Sequence, residues 1–230
     1  MNMIETDKEE KMEIEESKLP IARFKHCYMV GTVMEYVSKK YFNYTLQESK
    51  DMFLLGFLHD SMYDFENELF SHNEIISKLV PDKFKKELLY HSGIQNKYSS
   101  LNLDILYLAD EVVNGYGEIG KFSERIKDIK KRHGKESKNY METVNLINYL
   151  NKKAIYKIIE FDVSSNNEIK NTHIPLEEIK SAYIKAIGFN RPEKFLYIFL
   201  ENLKIYLDNK TVDEIQNYVK DKKGELLCTI

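Results

Sequence analysis

The feature that most constrains this chain is a strongly apolar run at residues 53–58 that leads directly into His59 and Asp60. Thr45 and Glu48 precede the run with the T-x-x-E spacing of a helix capping box. The run is therefore predicted to form a buried helix. Because an unpaired carboxylate is costly to bury, the polar pair at its end needs a compensating partner.

The remaining chain also predicts helices. Only 4 Pro and 9 Gly occur in 230 residues, and stretches such as IARFKHCYMVGTVMEYVSKKY carry an apolar stripe at helical spacing. No segment shows the alternation of a strand, so the fold class is predicted to be all-α. Gly56 lies inside the apolar run and costs about 1 kcal/mol relative to Ala in a helix. Its presence predicts that a second helix packs closely there.

The pattern divides the chain into three parts. Residues 1–18 carry seven acidic residues and are interpreted as an acidic, disordered lead-in. Residues 19–138 form a helical domain that holds the candidate site, and residues 139–230 form a C-terminal helical extension packed on it. In the extension, a helical stretch is expected to give way to a polar loop over 162–173. Thr211 and Glu214 predict a cap for the last helix.

Composition excludes several classes of protein. The chain has 34 Lys plus Arg against 37 Asp plus Glu, and this near-neutral balance argues against a dedicated nucleic-acid binder. No run approaches the ~18 apolar residues of a membrane span. Cys27 and Cys228 lie at opposite ends of the chain and no secretory segment is evident, so a reduced, cytoplasmic protein is expected. The apolar stretch EKFLYIFLENLKIYL indicates core packing or a homodimer face.

Several titratable side chains share helix faces with apolar residues three, four or seven positions away. A single inward histidine is usually a satisfied core residue. Six inward groups within about ninety residues are better explained by a divalent cation, because one ion compensates several of them at once. A buried polar cluster without metal remains the alternative. The candidate ligands are His26, His59, Asp60, His72, His91 and Asp110.

The order His26, His59-Asp60, Asp110 resembles the motif of the HD-domain superfamily of metal-dependent phosphohydrolases, over roughly residues 20–120. The segments LLYHSG and LYLADEV are similar to those of the bacterial HD hydrolases that split diadenosine tetraphosphate symmetrically. The resemblance implies an HD-type helical bundle with additional C-terminal helices. It also implies hydrolysis of a nucleotide or dinucleoside polyphosphate by attack of a metal-bound water.

The ligand set implied by the resemblance has two parts. The four motif residues would hold one divalent ion, and a second ion would lie near His72 and His91, bridged by Asp60. The resemblance also implies that Asp60 and His59 are the catalytic residues. Because the ligand set contains no cysteine, Fe, Mn or Co suits it at least as well as Zn, with one or two ions bound.

Other positions depart from the family pattern. Tyr63 stands where a phosphate-binding Lys is common, and Leu89 stands where an Arg is usual. The segment 121–138 has eight basic and three acidic residues, so Lys121 and Arg125 are candidate replacements if it forms a cationic rim rather than a solvated helix. The alternative to an enzyme is a catalytically silent HD protein that serves as a metal- or nucleotide-binding sensor.

The segment GYGEIG at residues 115–120 has the glycine spacing of a dinucleotide-binding loop. No strand–helix–strand pattern surrounds it, as that motif requires. The segment is therefore predicted to be a loop after the helix of Asp110, at the rim of the site.

Overall fold

The structure is a computed structural model that describes residues 20–93 and 98–222. Within these ranges it contains twelve α-helices and no named strand, which confirms the all-α prediction. The acidic lead-in at residues 1–18 lies outside the described residues. None of the described helices combines the length and the apolar character that crossing a membrane requires.

The helices follow one another in chain order, and 3₁₀ turns lie at Tyr63–Phe65 and Lys204–Tyr206. Their bounds are α1 (Ile21–Phe42), α2 (Leu46–Leu58), α3 (His72–Leu79), α4 (Asp82–Tyr90), α5 (Leu101–Val112), α6 (Phe122–His133), α7 (Lys138–Asn151), α8 (Ala154–Ser165), α9 (Asn167–Lys170), α10 (Leu176–Ile187), α11 (Pro192–Leu203) and α12 (Asn209–Lys222).

Helices α1 and α2 cross with their backbones in close contact, as Gly56 predicts. A Cβ atom added at Gly56 would lie 2.8 Å from both the N and the Cα of Gly31. A Cβ atom added at Gly31 would lie 2.5 Å from the carbonyl oxygen of Phe53. Only glycine allows this approach, which brings the end of α2 against the middle of α1.

The predicted capping box of α2 is present, since Glu48 accepts from the backbone N–H of Thr45 at 2.8 Å. The prediction for the last helix is wrong. Helix α12 begins at Asn209, one residue after Asp208, whose carboxylate accepts from the backbone N–H of Thr211 at 2.9 Å. Asp208 is therefore the cap of α12. Glu214 instead forms an ion pair with Lys83 of α4.

The polar loop predicted over 162–173 is also partly wrong, because α8 continues to Ser165 and α9 follows. Asp162 lies on α8 and accepts hydrogen bonds from Tyr36 and Tyr41 of α1, each at 2.8 Å. These contacts hold the polar end of α8 against α1. Asn166 then accepts from the backbone N–H of Glu168 at 2.9 Å and caps α9.

The C-terminal helices pack on the same hydrophobic core as the N-terminal ones. The ring of Phe199 on α11 lies 4.8 Å from that of Phe24 on α1 and 6.0 Å from that of Phe57 on α2, between centroids. Phe195 and Phe199 are fully buried. Core packing therefore accounts for the apolar stretch of α11.

Candidate metal centre

Each of the six predicted ligands lies at one end of the α1–α2 crossing. His26 is in the second turn of α1, and His59 and Asp60 follow the last residue of α2. The other three come from the first residue of α3, the residue after α4 and the body of α5. The ligand atoms form two groups, each with its atoms within 4.8 Å of one another. The groups are His26, His59 and Asp110, and Asp60, His72 and His91.

The first group is organised around one oxygen of Asp110. The Nε2 of His26 lies 3.1 Å from Oδ1 of Asp110, and the Nε2 of His59 lies 3.9 Å from the same oxygen. The opposite ring nitrogen, Nδ1, fixes the orientation of each ring because it donates to a backbone carbonyl. His26 donates to Asn114 at 3.0 Å and His59 donates to Gly56 at 2.6 Å.

The second group is organised in the same way around Asp60. Its Oδ1 lies 3.3 Å from the Nε2 of His91 and 3.5 Å from the Nε2 of His72. The Nδ1 of His91 donates to the carbonyl of Leu88 at 2.9 Å. The other oxygen of Asp60, Oδ2, lies 3.4 Å from the Nε2 of His59. Asp60 therefore faces both groups, one oxygen to each.

The orientation of the rings fits a metal ion. When Nδ1 donates to a carbonyl, a neutral imidazole presents the lone pair of Nε2 to the carboxylate, and a cation between the two atoms would satisfy both. Without a metal, a proton on Nε2 takes that place. The Nε2 atoms of His59 and His72 are buried and have no hydrogen-bond partner. Buried polar atoms without a partner are rare in native proteins. These two groups of buried histidines and partly buried aspartates could hold a metal ion.

The two carboxylates and His59 strongly affect each other's ionisation. Burial alone would raise the pKa of Asp60 and of Asp110, but the neighbouring imidazoles hold both well below the usual value. Burial lowers the pKa of His59, whereas Asp60 and Asp110 more than offset this and raise it to about 9. Both carboxylates are thus anionic at neutral pH, and the site attracts cations.

A cavity of about 490 Å³ opens directly over the two groups. Its lining includes Asp60, Asp110, Tyr63 and Gly115, which is the first residue of the GYGEIG segment. Other residues of that segment line a neighbouring depression. Arg125 enters from α6, and its Nη2 lies 3.9 Å from Oδ1 of Asp110. The volume is within the range of small-molecule sites, about 300 to 1,000 Å³.

The described part of this lining does not include Lys121 or Leu89. Lys121 is exposed just before α6 and lines a neighbouring depression with Glu124. The structure thus brings Arg125 to the predicted site and leaves Lys121 outside it.

Tyr63 connects the second group to the C-terminal helices. Its ring stacks on that of His72 with centroids 3.8 Å apart, and the guanidinium of Arg23 lies 5.1 Å from the Tyr63 centroid. Arg23 in turn pairs with Asp64 at 3.0 Å, and Asp64 accepts from the hydroxyl of Tyr183 on α10 at 2.7 Å. This series of contacts fixes the ring that covers His72.

Sequence reasoning missed four charged residues of the cavity: Arg23, Glu111, Arg132 and Glu142. Helical spacing carries a signal for the arginines, since Arg23 precedes His26 by three residues and Arg132 follows Arg125 by seven. Glu111 has no such signal. It is buried next to Asp110, and its Oε2 lies 3.5 Å from the Nε of Arg125.

Burial raises the pKa of Glu111 to about 8, with a further increase from the Asp110 carboxylate, although the Arg125 guanidinium opposes the rise.

No protein-family model, curated protein or solved structure matches this chain. Its function is therefore inferred from the residues of the site.

Proposed function

We propose that this chain is a metal-dependent phosphohydrolase that acts on a nucleotide or another phosphorylated small molecule. The observation that carries the proposal is the position of Asp60, which directs one oxygen toward each group of histidines at the base of a cavity that arginines also line. The resemblance of the ordered histidines and aspartates to the HD-domain motif supports it. We expect the enzyme to act in the cytoplasm, where the free thiol of Cys27 stays reduced.

The chemistry of the ligand atoms indicates which class of metal ion the site would bind. Imidazole and carboxylate ligands without thiolate suit Mn, Fe or Co, and the two groups provide for one or two ions. When bound, such an ion supplies a Lewis acid for a phosphoryl oxygen and lowers the pKa of its water.

The residues of this chain provide orientation and charge. Arg125 is positioned to bind the phosphoryl oxygens of the substrate, because its guanidinium reaches the cavity beside Asp110. Glu111 lies behind it, with its Oε2 3.5 Å from the Nε of Arg125. The backbone carbonyls that accept from Nδ1 of His26, His59 and His91 keep the three rings directed at the carboxylates.

A specific observation favours a second candidate function, that of a catalytically silent sensor. Tyr63 occupies the position where the family pattern has a lysine, and its ring lies flat on His72. A phenol there supplies no positive charge to a substrate phosphate. In the sensor, the same residues would bind metal or nucleotide without turnover.

Product analysis after incubation with a nucleotide panel tests the proposal. The panel contains mononucleotides, cyclic nucleotides and diadenosine tetraphosphate, each with Mn, Fe or Co. We expect turnover by the wild type and none by Asp60→Ala. Asp82→Ala, which removes an exposed carboxylate on α4, is the matched control and should retain activity.

Three outcomes separate the alternatives. Turnover that is lost only in Asp60→Ala supports the enzyme. Binding of metal and of a panel nucleotide without turnover supports the sensor. Purified protein that holds no metal in stoichiometric amount, and whose melting temperature is unaffected by chelator, indicates a buried polar cluster and refutes both.

A further inference from the structure

The cavity extends away from the metal residues, along the groove between α6 and α7. Arg125 lies at the near end, and Arg132 lies seven residues further along the same helix. Seven residues correspond to about 10 Å along a helix axis. The cavity therefore has two guanidinium groups on one wall, with only the first beside the candidate metal ligands.

Arg132 is held in a defined orientation by its own helix. Its Nε and Nη2 donate to Oδ2 of Asp128 at 3.0 and 2.6 Å, respectively. The third nitrogen, Nη1, lies toward the rim loop, where a Cβ atom added at Gly115 would be 3.9 Å away. An arginine fixed in this way loses little further side-chain entropy when it binds an anion.

The wall between the two arginines is suited to an organic group. Ile129 of α6 and Leu146 of α7 line the cavity and are 5% and 4% exposed, respectively. Asn139 and Thr143 of α7 add an amide and a hydroxyl to the lining, and Glu142 adds a carboxylate. An apolar surface with a few hydrogen-bonding groups is typical of a site for a small organic ligand.

We propose that Arg132 is a second anion-binding point of this cavity, and that the natural ligand carries two anionic groups separated by a spacer that lies over Ile129 and Leu146. The inference rests on the proposed function, in which the first anionic group is the phosphoryl group held beside Asp110 by Arg125. A ligand with one phosphate uses only the near end. A ligand with two separated phosphates uses both ends and is selected by the distance between them.

Isothermal titration calorimetry with three probes tests this inference. The probes are inorganic phosphate, inorganic tripolyphosphate and hexane-1,6-diol bisphosphate, and metal analysis after each titration verifies that the ion content is unchanged. The variant is Arg132→Gln. The matched control is Lys127→Gln, which removes one positive charge from an exposed position of α6 that does not line the cavity.

We expect Arg132→Gln to weaken binding of the bisphosphate about tenfold, equal to about 1.4 kcal/mol, and to leave inorganic phosphate unaffected. Tripolyphosphate lacks the organic spacer and is too short to reach both arginines, so a loss confined to tripolyphosphate would overturn the inference. Equal weakening of all three probes, or equal weakening by Lys127→Gln, would overturn the inference.

The outcomes also distinguish the inference from the proposed function. If the nucleotide panel shows no turnover but Arg132 still controls binding of a two-anion probe, the hydrolase proposal fails and the anion site stands. If turnover depends on Asp60 while no probe responds to Arg132→Gln, the hydrolase proposal stands and the anion site is refuted.

Discussion

The crossing of α1 and α2 at Gly31 and Gly56 makes a sharp test of how the fold builds the site. We expect Gly56→Ala to destabilise the protein and to weaken metal binding. The added methyl would lie 2.7 Å from Sδ of Met34 and 2.8 Å from the backbone of Gly31. The Met34 side chain can move, but the backbone of α1 can retreat only if the two helices separate.

The magnitude follows from two opposing effects. Alanine gains about 1 kcal/mol over glycine in a helix interior. Overpacking of a well-packed core costs about 1–3 kcal/mol, and a clash with backbone belongs at the upper end. The net destabilisation is about 2 kcal/mol, which lowers the melting temperature of a domain of this size by about 4–8 °C.

Thermal unfolding followed by circular dichroism measures this change, with and without bound metal. Separation of the helices also moves His26 away from His59, whose ring centroids are now 5.3 Å apart, so the ion should stabilise the variant less than the wild type. Gly188→Ala is the control, because nothing lies within 4 Å of its added methyl. A Gly56→Ala protein that melts at or above the wild-type temperature would refute the reasoning.

Three further predictions concern the site and its support. His72→Ala should lower bound Mn by one ion per chain, as measured by elemental analysis; loss of all metal would show that the two groups are not separate sites. Burial alone would raise the pKa of Asp162, but hydrogen bonds from Lys40 and two tyrosines lower it below its usual 3.8. Its stabilising effect is therefore complete above that pH and is lost as the pH falls through the lowered value, so the melting temperatures of wild type and Asp162→Asn should differ at pH 7 and converge below pH 3.8. Tyr183→Phe removes the hydrogen bond to Asp64 and should cost about 1 kcal/mol and reduce metal content near His72; unchanged metal content would show that the contact is only structural.

The location of the candidate ligands could be predicted because helical periodicity fixes which face a side chain occupies. His26 and Asp110 each share a face with apolar residues, and both therefore point into the α1–α2–α5 interior. Helical spacing alone did not divide the ligands into two groups. The family resemblance implied a second group at His72 and His91 reached by Asp60, and in the structure Oδ1 of Asp60 lies 3.5 Å from the Nε2 of His72 while its Oδ2 faces His59. That division depends on how the helices cross, which local spacing does not encode.

Features that depend on distant parts of the chain were the least predictable. The loop after α5 is closed by a bridge between Val113 and Ile119, and this turn brings α6 back over the site. Arg125 and Arg132 reach the cavity only as a result of that return. Likewise, the polar character of residues 162–165 predicted a loop. In the structure they belong to α8, where Asp162 accepts hydrogen bonds from Tyr36 and Tyr41 of α1.

The packing of Phe199 against Phe24 and Phe57 has a consequence for modularity. A fragment that stopped at residue 138 would leave these two rings without their aromatic neighbour and Asp64 without the hydroxyl of Tyr183. The chain should consequently unfold in a single cooperative transition rather than as two parts. Although the C-terminal helices carry no chemical motif, we expect the histidine site to form only when they are present.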